Sequence, residues 1–395
     1  MTHSAHCPII HGGLHIALQN NSPYASVGSC CLRHEHHSTI KSGFDLWNDD
    51  RFIPLRDKNN KNIWDSECWT CQGNEEAGLV SFRTGMLEKF GVRKNLSGPQ
   101  RLDLMFDTSC NLACRTCGPK FSTFWQKHLR DNNLTFDITS PISKSDEMIT
   151  LLKTLDLSNL EMVVFCGGET LMGDGYWQVA EAIADMVPHA KEKLIISFMT
   201  NGTQFIKEKY FSIIEKVYQV AINISLDGIG NRFEYLRWPA QWEQVTANIT
   251  KLRETLPVNV VFLIEETISI FNLYYQNELD HWVQNNFAVD QTGGKVNHTR
   301  HVAAGIYGLH NLSQQYIDSL TNSPSRNLVD PHWVENPIEI QEMIDNIKKF
   351  DSIRNQDWKE TFPEVANFYS NYNLDKYNKL EFSLAKTHPW YPHRT

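Results

Sequence analysis

Three cysteines stand close together in CNLACRTC, at Cys110, Cys114 and Cys117, with the spacing C-x3-C-x2-C. Three thiolates from one loop can hold an iron–sulfur cluster. A cube-shaped [4Fe–4S] cluster held by three cysteines keeps one iron open to another ligand. A structural cube, or a tetrahedral structural zinc, takes a fourth Cys or His instead. A zinc knot completed by a distant cysteine is therefore the alternative. A second set lies upstream at Cys7, Cys30, Cys31, Cys68 and Cys71, where CWTC supplies a C-x2-C pair of chelating spacing. Four of these could close a second cube, and a zinc ribbon fits them equally well. All nine cysteines lie at or before Cys166, a skew that points to ligands or catalysis rather than scattered core thiols.

The elements that must carry these residues read as alternating strands and helices from about residue 102 onward. LDLMF (102–106), EMVVFC (161–166), KLIISFM (193–199), VAINISL (220–226) and VNVVFLI (258–264) are apolar runs of buried-strand length, and GKVNHTRHV suggests a sixth. FSTFWQKHLR, YWQVAEAIADMV, IKEKYFSIIEKVY and WEQVTANITKLRE fill the gaps as helices. Such alternation predicts a parallel sheet with right-handed crossovers. Five or six units are too few for a closed eight-unit barrel, so a partial barrel or open sheet is expected. In that architecture ligands bind beyond the carboxyl ends of the strands. The cysteine loop follows the first strand, CGGETLMGDG the second, MTNGT the third and SLDG the fourth. Each motif alone is only a turn signal; their order puts them on one face.

The first 95 or so residues differ, being rich in Cys, His, Asn and Gly. HIALQ and YASVGS predict a hairpin around NNSP, and a small separate module held partly by metal suits this composition. The segments IEIQEMIDNIKKF and WKETFPEVANFYSNY predict surface helices near the C-terminus, and THPWYPHRT a loose end or a cover over a pocket. RHEHH (33–37) reads as a solvated loop, and His11 and His15 as still weaker metal candidates. With 37 Lys and Arg against 46 Asp and Glu, the net charge of −9 argues against a nucleic-acid-binding surface. No apolar run is long enough for a bilayer, and no export signal opens the chain, so a cytoplasmic protein without disulfides is expected.

Taken together, C-x3-C-x2-C after the first strand, GGE after the second and TNG after the third resemble the radical S-adenosylmethionine (SAM) superfamily over about residues 100 to 290. The resemblance implies an α/β fold with a partial (β/α)6 TIM-like barrel. It implies that Cys110, Cys114 and Cys117 bind three irons of a [4Fe–4S] cluster and that S-adenosylmethionine chelates the fourth. Gly167, Gly168 and Glu169 would contact its amino end, Ser225 and Arg237 its carboxylate, and Asn201 would lie near the cofactor. Thr116 and Thr170 depart from the usual pattern, where an aromatic residue and a proline are common, but neither removes a ligand.

The run from CPIIHGG through FDLWNDDRFIPLRD to CWTC resembles the auxiliary-cluster half of SPASM and twitch modules, here preceding the barrel. This implies one auxiliary [4Fe–4S] cluster on Cys7, Cys30, Cys68 and Cys71, with Cys30 chosen over Cys31 by motif alignment. The implied domains are an auxiliary module (1–95), the barrel (96–305) and a C-terminal helical region (306–395). The implied chemistry is hydrogen abstraction from a C–H bond by a 5′-deoxyadenosyl radical, with an electron donor such as flavodoxin or ferredoxin. A peptide or amino-acid-derived substrate is favoured, with epimerisation, cross-linking or dehydrogenation as outcomes. A dehydrogenase of small alcohols such as aminocyclitols is the second reading. A zinc-stabilised, non-catalytic binding protein is the reading from another class. Cys166, at the end of the second strand, is a candidate hydrogen-atom donor, or else a buried small hydrophobe.

Overall fold

A computed structural model describes residues 4–18, 24–32, 37–39, 45–76, 80–134, 143–287, 296–303, 305–321, 323–329, 334–370 and 372. The strands are β1 (Gly13–Leu18), β2 (Tyr24–Gly28), β3 (His37–Thr39), β4 (Arg101–Met105), β5 (Met162–Cys166), β6 (Ile195–Thr200), β7 (Gln219–Ser225), β8 (Val260–Ile268) and β9 (Asn297–Val302). They form one nine-stranded sheet in the order β3-β2-β1-β4-β5-β6-β7-β8-β9. From β1 through β9 every neighbouring pair in that order is parallel, while β1–β2 and β2–β3 are antiparallel. The expected α/β sheet is thus present, with the five apolar runs as β4 to β8 and the sixth strand as β9.

Alternation of side chains gives the sheet two unlike faces. Leu104, Phe165, Phe198, Ile222 and Phe262 are register partners along one row, and none is more than 1% exposed. This face shares a core with the crossover helices through Trp177, Ile183 and Ile249. The neighbouring row, Asp103, Val164, Ser197, Ala221 and Val261, points the other way, to the inner face. Burial along β8 alternates residue by residue, as two-faced strands require.

The helices Thr123–Asp131, Gly175–Met186 and Trp242–Thr255 lie close to where the sequence pattern put them. The helices Ser145–Leu152, Gly230–Leu236 and Gln276–Phe287 were not among those the pattern predicted. The proposed hairpin exists as β1 paired with β2, its NNSP turn lying outside the described residues. That hairpin is not set apart from the rest. Gly13 to Ala17 pair in parallel with Arg101 to Met105, so one sheet runs through residue 95. Residues 33–36 of RHEHH and the terminal THPWYPHRT also lie outside the described residues.

The C-terminal helices are not the surface helices expected. Pro337–Arg354 buries Ile340, Met343, Ile344, Ile347, Phe350, Asp351 and Arg354, an amphipathic stripe at helical spacing. It joins a second core with Tyr235, Leu236, Phe271, Tyr316 and Phe362. Among the described residues, no helix is long and apolar enough to cross a membrane.

Candidate active site

The strand-end loops meet as the parallel sheet requires. The backbone N–H of Gly168 donates to the carbonyl of Asp107 (3.0 Å) and that of Glu169 to Ser109 (2.7 Å). The GGE turn therefore lies directly on the segment leading into Cys110. Glycine is needed at both positions. Gly167 has φ of 125°, and a Cβ on Gly168 would lie 2.2 Å from the Ser109 carbonyl oxygen. Tyr176, fully buried, clamps the two strand ends by donating to the carbonyls of Asp107 (2.9 Å) and Cys166 (2.8 Å). Asp107 holds its own loop through the Ser109 N–H (2.6 Å) and the Ser143 hydroxyl (2.8 Å).

Glu169 and Asn201 join the third loop to the first two. The Glu169 carboxylate, 1% exposed, accepts from Leu171 N (3.0 Å), Thr200 Oγ1 (2.6 Å) and Asn201 N (2.7 Å). Burial still raises its pKa, and these three bonds oppose the rise. The carboxylate expected at the amino end of a cofactor is thus occupied in tying GGE to TNG. Asn201 Nδ2 donates to Asn111 Oδ1 (3.0 Å) and stands 4.0 Å from Cys110 Sγ. Its Oδ1 accepts from Thr203 N (2.9 Å) and Thr203 Oγ1 (2.6 Å).

Within the cysteine loop Cys114 is buried, Cys110 half-buried and Cys117 exposed. Burial pushes the Cys110 thiol up to about 11, and Cys114 upward as well. The loop is pinned from behind: Ala113 N donates to Trp238 O (2.8 Å), Arg115 N to Leu236 O (2.7 Å) and Trp125 Nε1 to Cys114 O (2.9 Å). Arg237, between those two acceptors, is 8% exposed and grips Asp227 through Nε (2.8 Å) and Nη2 (2.9 Å). Asp227 also accepts from Thr267 N (2.9 Å), so this pair ties SLDG to β8. Arg237 is close enough to Cys114 and Cys117 that its charge favours their thiolates. Among the described residues, no three His, Cys, Asp or Glu side chains converge as on a single metal ion. What the loop offers is an all-thiol set beside an amide and buried cations, a donor set suited to an anionic thiolate cluster.

On the inner face Cys166 sits at the carboxyl end of β5, level with Met105, its Sγ 3.5 Å from the Leu104 carbonyl. Burial pushes its thiol up. Ser225 ends β7 beside Glu265, and Glu265 pairs with His301 Nε2 at 2.8 Å. This acid–histidine pair escaped the sequence reading, because its partners lie 36 positions apart on strands of unlike composition. Deeper on the same face, buried Arg101 and Asp103 form an ion pair (2.7 Å).

The second cysteine set lies at the opposite end of the sheet. Cys7 precedes β1, and Cys30 follows the antiparallel β2, so both are at the amino end of β4. Cys7, Cys30, Cys68 and Cys71 line one cavity with Ile10, Trp64, Phe82 and Arg83, and Cys31 is not part of that lining. The peptide N–H of Cys7 donates to buried Asn59 Oδ1 (3.1 Å), which also meets His11 Nε2 (3.2 Å). Within the FDLWNDDRFIPLR segment, Arg56 stacks over Trp47 (4.8 Å) and Phe52 (5.6 Å), while Leu55 of the helix Phe52–Asn60 shares a small core with Cys7, Ile9 and Ile10. Burial pushes Cys7 up to about 12.

Comparison with known proteins gives low but consistent likenesses. No curated protein matches the chain. One solved structure, native anSMEcpe with bound AdoMet, is 14% identical, with a TM-score of 0.38, covering 65% of this chain and 62% of that one. The Streptococcus suis protein SuiB bound to S-adenosylmethionine is 13% identical, with a TM-score of 0.38, covering 78% of this chain and 58% of that one. SuiB bound to precursor peptide SuiA is 12% identical, with a TM-score of 0.36, covering 80% and 63%. The chain thus spans about three fifths of the length of these proteins. Residues 106–272, from the end of β4 past the end of β8, match the family model of the radical SAM superfamily, and this segment carries all three strand-end motifs.

Proposed function

We propose that this protein is an enzyme that reductively cleaves S-adenosylmethionine and takes a hydrogen atom from a C–H bond of a peptide or amino-acid-derived substrate. The observation that carries this reading is the junction of three loops around Cys110, made by Gly168, Glu169 and Asn201 within the family-matched segment. Bound there, a [4Fe–4S] cluster would supply the electron for reductive cleavage of S-adenosylmethionine. Cys110, Cys114 and Cys117 are its ligands in this reading. Gly167, Gly168 and Glu169 would contact the amino end of S-adenosylmethionine, with Glu169 also holding the loops in register. In the same reading Ser225 and Arg237 would contact the carboxylate of S-adenosylmethionine, and Asn201 would lie near it.

The inner face would receive the substrate. Cys166 presents a hydrogen-atom donor at its upper edge, and the Glu265–His301 pair a site for proton transfer. The cavity on Cys7, Cys30, Cys68 and Cys71 would hold an auxiliary [4Fe–4S] cluster at the end of β4 opposite the cysteine loop. That cluster would pass electrons or brace the module. A functional division at residues 95 and 305, within one continuous sheet, a flavodoxin- or ferredoxin-type donor and a cytoplasmic setting belong to the same proposal.

Anaerobic reconstitution followed by iron and sulfide counting tests it, with about eight irons per chain for two cubes. Deuterium carried from candidate substrates into 5′-deoxyadenosine then separates peptides from small alcohols. Zinc without iron, and no cleavage of S-adenosylmethionine, would establish the binding-protein reading instead.

A further inference from the structure

Behind the cysteine loop lies a buried cation with no counter-ion among the described residues. Arg354, on the last turn of the helix Pro337–Arg354, is 7% exposed. Its guanidinium is caged by the rings of Trp125 (4.6 Å), Trp238 (4.8 Å) and Phe350 (5.2 Å). Nε donates to His128 Nε2 (3.3 Å), whereas Nη1 and Nη2 have no acceptor among the described residues. Neighbouring charges are already spent. Arg115 pairs with Asp351, which also accepts from Tyr235 OH (2.8 Å) and Trp358 N (2.9 Å). Arg237 pairs with Asp227. Asp131 is exposed and bound to Lys127. Among the described residues one positive charge is left over, held in an apolar cage where it is costly unless an anion lies nearby.

Two of the caging residues are the ones that grip the loop. Trp125 bonds the Cys114 carbonyl and Trp238 bonds Ala113 N–H. Burial and Arg115 hold the Arg354 guanidinium down to about 9, and a thiolate at Cys114 is among the influences that pull it back up. A cluster on three thiolates is anionic, and reduction adds another negative charge. We propose that Arg354 is a positioning residue for cluster reduction, the buried counter-charge that makes the centre on Cys110, Cys114 and Cys117 easier to reduce. This rests on the radical SAM reading above. The ligands themselves set the coordination; the C-terminal helix supplies the field.

The test is a redox titration with dithionite, followed by electron paramagnetic resonance on reconstituted wild type, Arg354→Met, Arg354→Gln and Arg354→Lys. The signal that changes on adding S-adenosylmethionine identifies the relevant cluster. Both neutral variants are expected to lower the reduced-to-oxidised ratio about tenfold at a fixed potential, ~59 mV for one electron. Arg354→Lys, keeping the charge, is expected to stay within about twofold of wild type. Circular dichroism confirms that each variant folds. Neutral variants that titrate like wild type would overturn the proposal while leaving the radical SAM reading intact. A wild type that assembles no SAM-sensitive cluster would overturn that reading and the proposal with it.

Discussion

Replacing Glu169 separates two roles for the GGE carboxylate. Its oxygens accept three hydrogen bonds at 2.6–3.0 Å from Leu171 N, Thr200 Oγ1 and Asn201 N, in a site 1% exposed. Glu169→Ala removes every acceptor and leaves three buried donors, each worth about 1–3 kcal/mol when orphaned. Relief of the buried carboxylate, whose pKa is raised by desolvation, offsets part of this loss. Water entering the vacated space recovers more. The expected net cost for Ala is about 3–5 kcal/mol. Glu169→Gln keeps one acceptor oxygen but turns an NH2 toward a donor, for an expected cost of about 1–3 kcal/mol. Urea unfolding of cluster-free protein, followed by tryptophan fluorescence, measures both. A carboxylate that serves only as a cofactor contact predicts unchanged apo stability with lost S-adenosylmethionine binding. An Ala variant within about 1 kcal/mol of wild type would therefore refute the loop-tying role.

Three further outcomes follow from the geometry. Tyr176→Phe removes the single hydroxyl shared by the Asp107 and Cys166 carbonyls and should cost about 1–2 kcal/mol in the same unfolding assay. Burial, reinforced by Arg354, lowers His128 to about 4 from its ordinary 6.5, so the unfolded chain binds a proton between these values that the folded chain does not. Its contribution to stability is present above pH 6.5 and lost progressively toward pH 4, so the gap between wild type and His128→Asn should narrow across that window in pH-dependent melts. Cys166→Ala should spare 5′-deoxyadenosine formation and abolish an epimerisation, read by product stereochemistry; full turnover in that variant would remove the thiol from the mechanism.

The strand pattern and the site motifs were legible because both are local. β4 to β8 are short apolar runs, and the three cysteines, GGE and TNG each sit in a single loop just past a strand. The parallel topology then forces those loops onto one end of the sheet. The joining of the N-terminal hairpin to the main sheet was not legible, because each β1 residue pairs with the β4 residue 88 positions further on and strand pairing leaves no local trace. Nor was the use of Glu169 and Arg237. Their residue types suit a ligand, and only the folded neighbours show that Thr200, Asn201 and Asp227 already hold them.

The sequence by itself determined which side chains can bear sulfur-ligand and cofactor chemistry, and the order in which strands present them, since spacing and hydrophobic period are properties of neighbours along the chain. Tertiary structure alone decided what surrounds them. Arg115 meets Asp351 from 236 positions away, and Arg354 reaches the tryptophans that hold Cys114, because the C-terminal helix buries its apolar stripe there. Charge acts through space, and its balance at the cysteine loop is set by which distant elements pack against it.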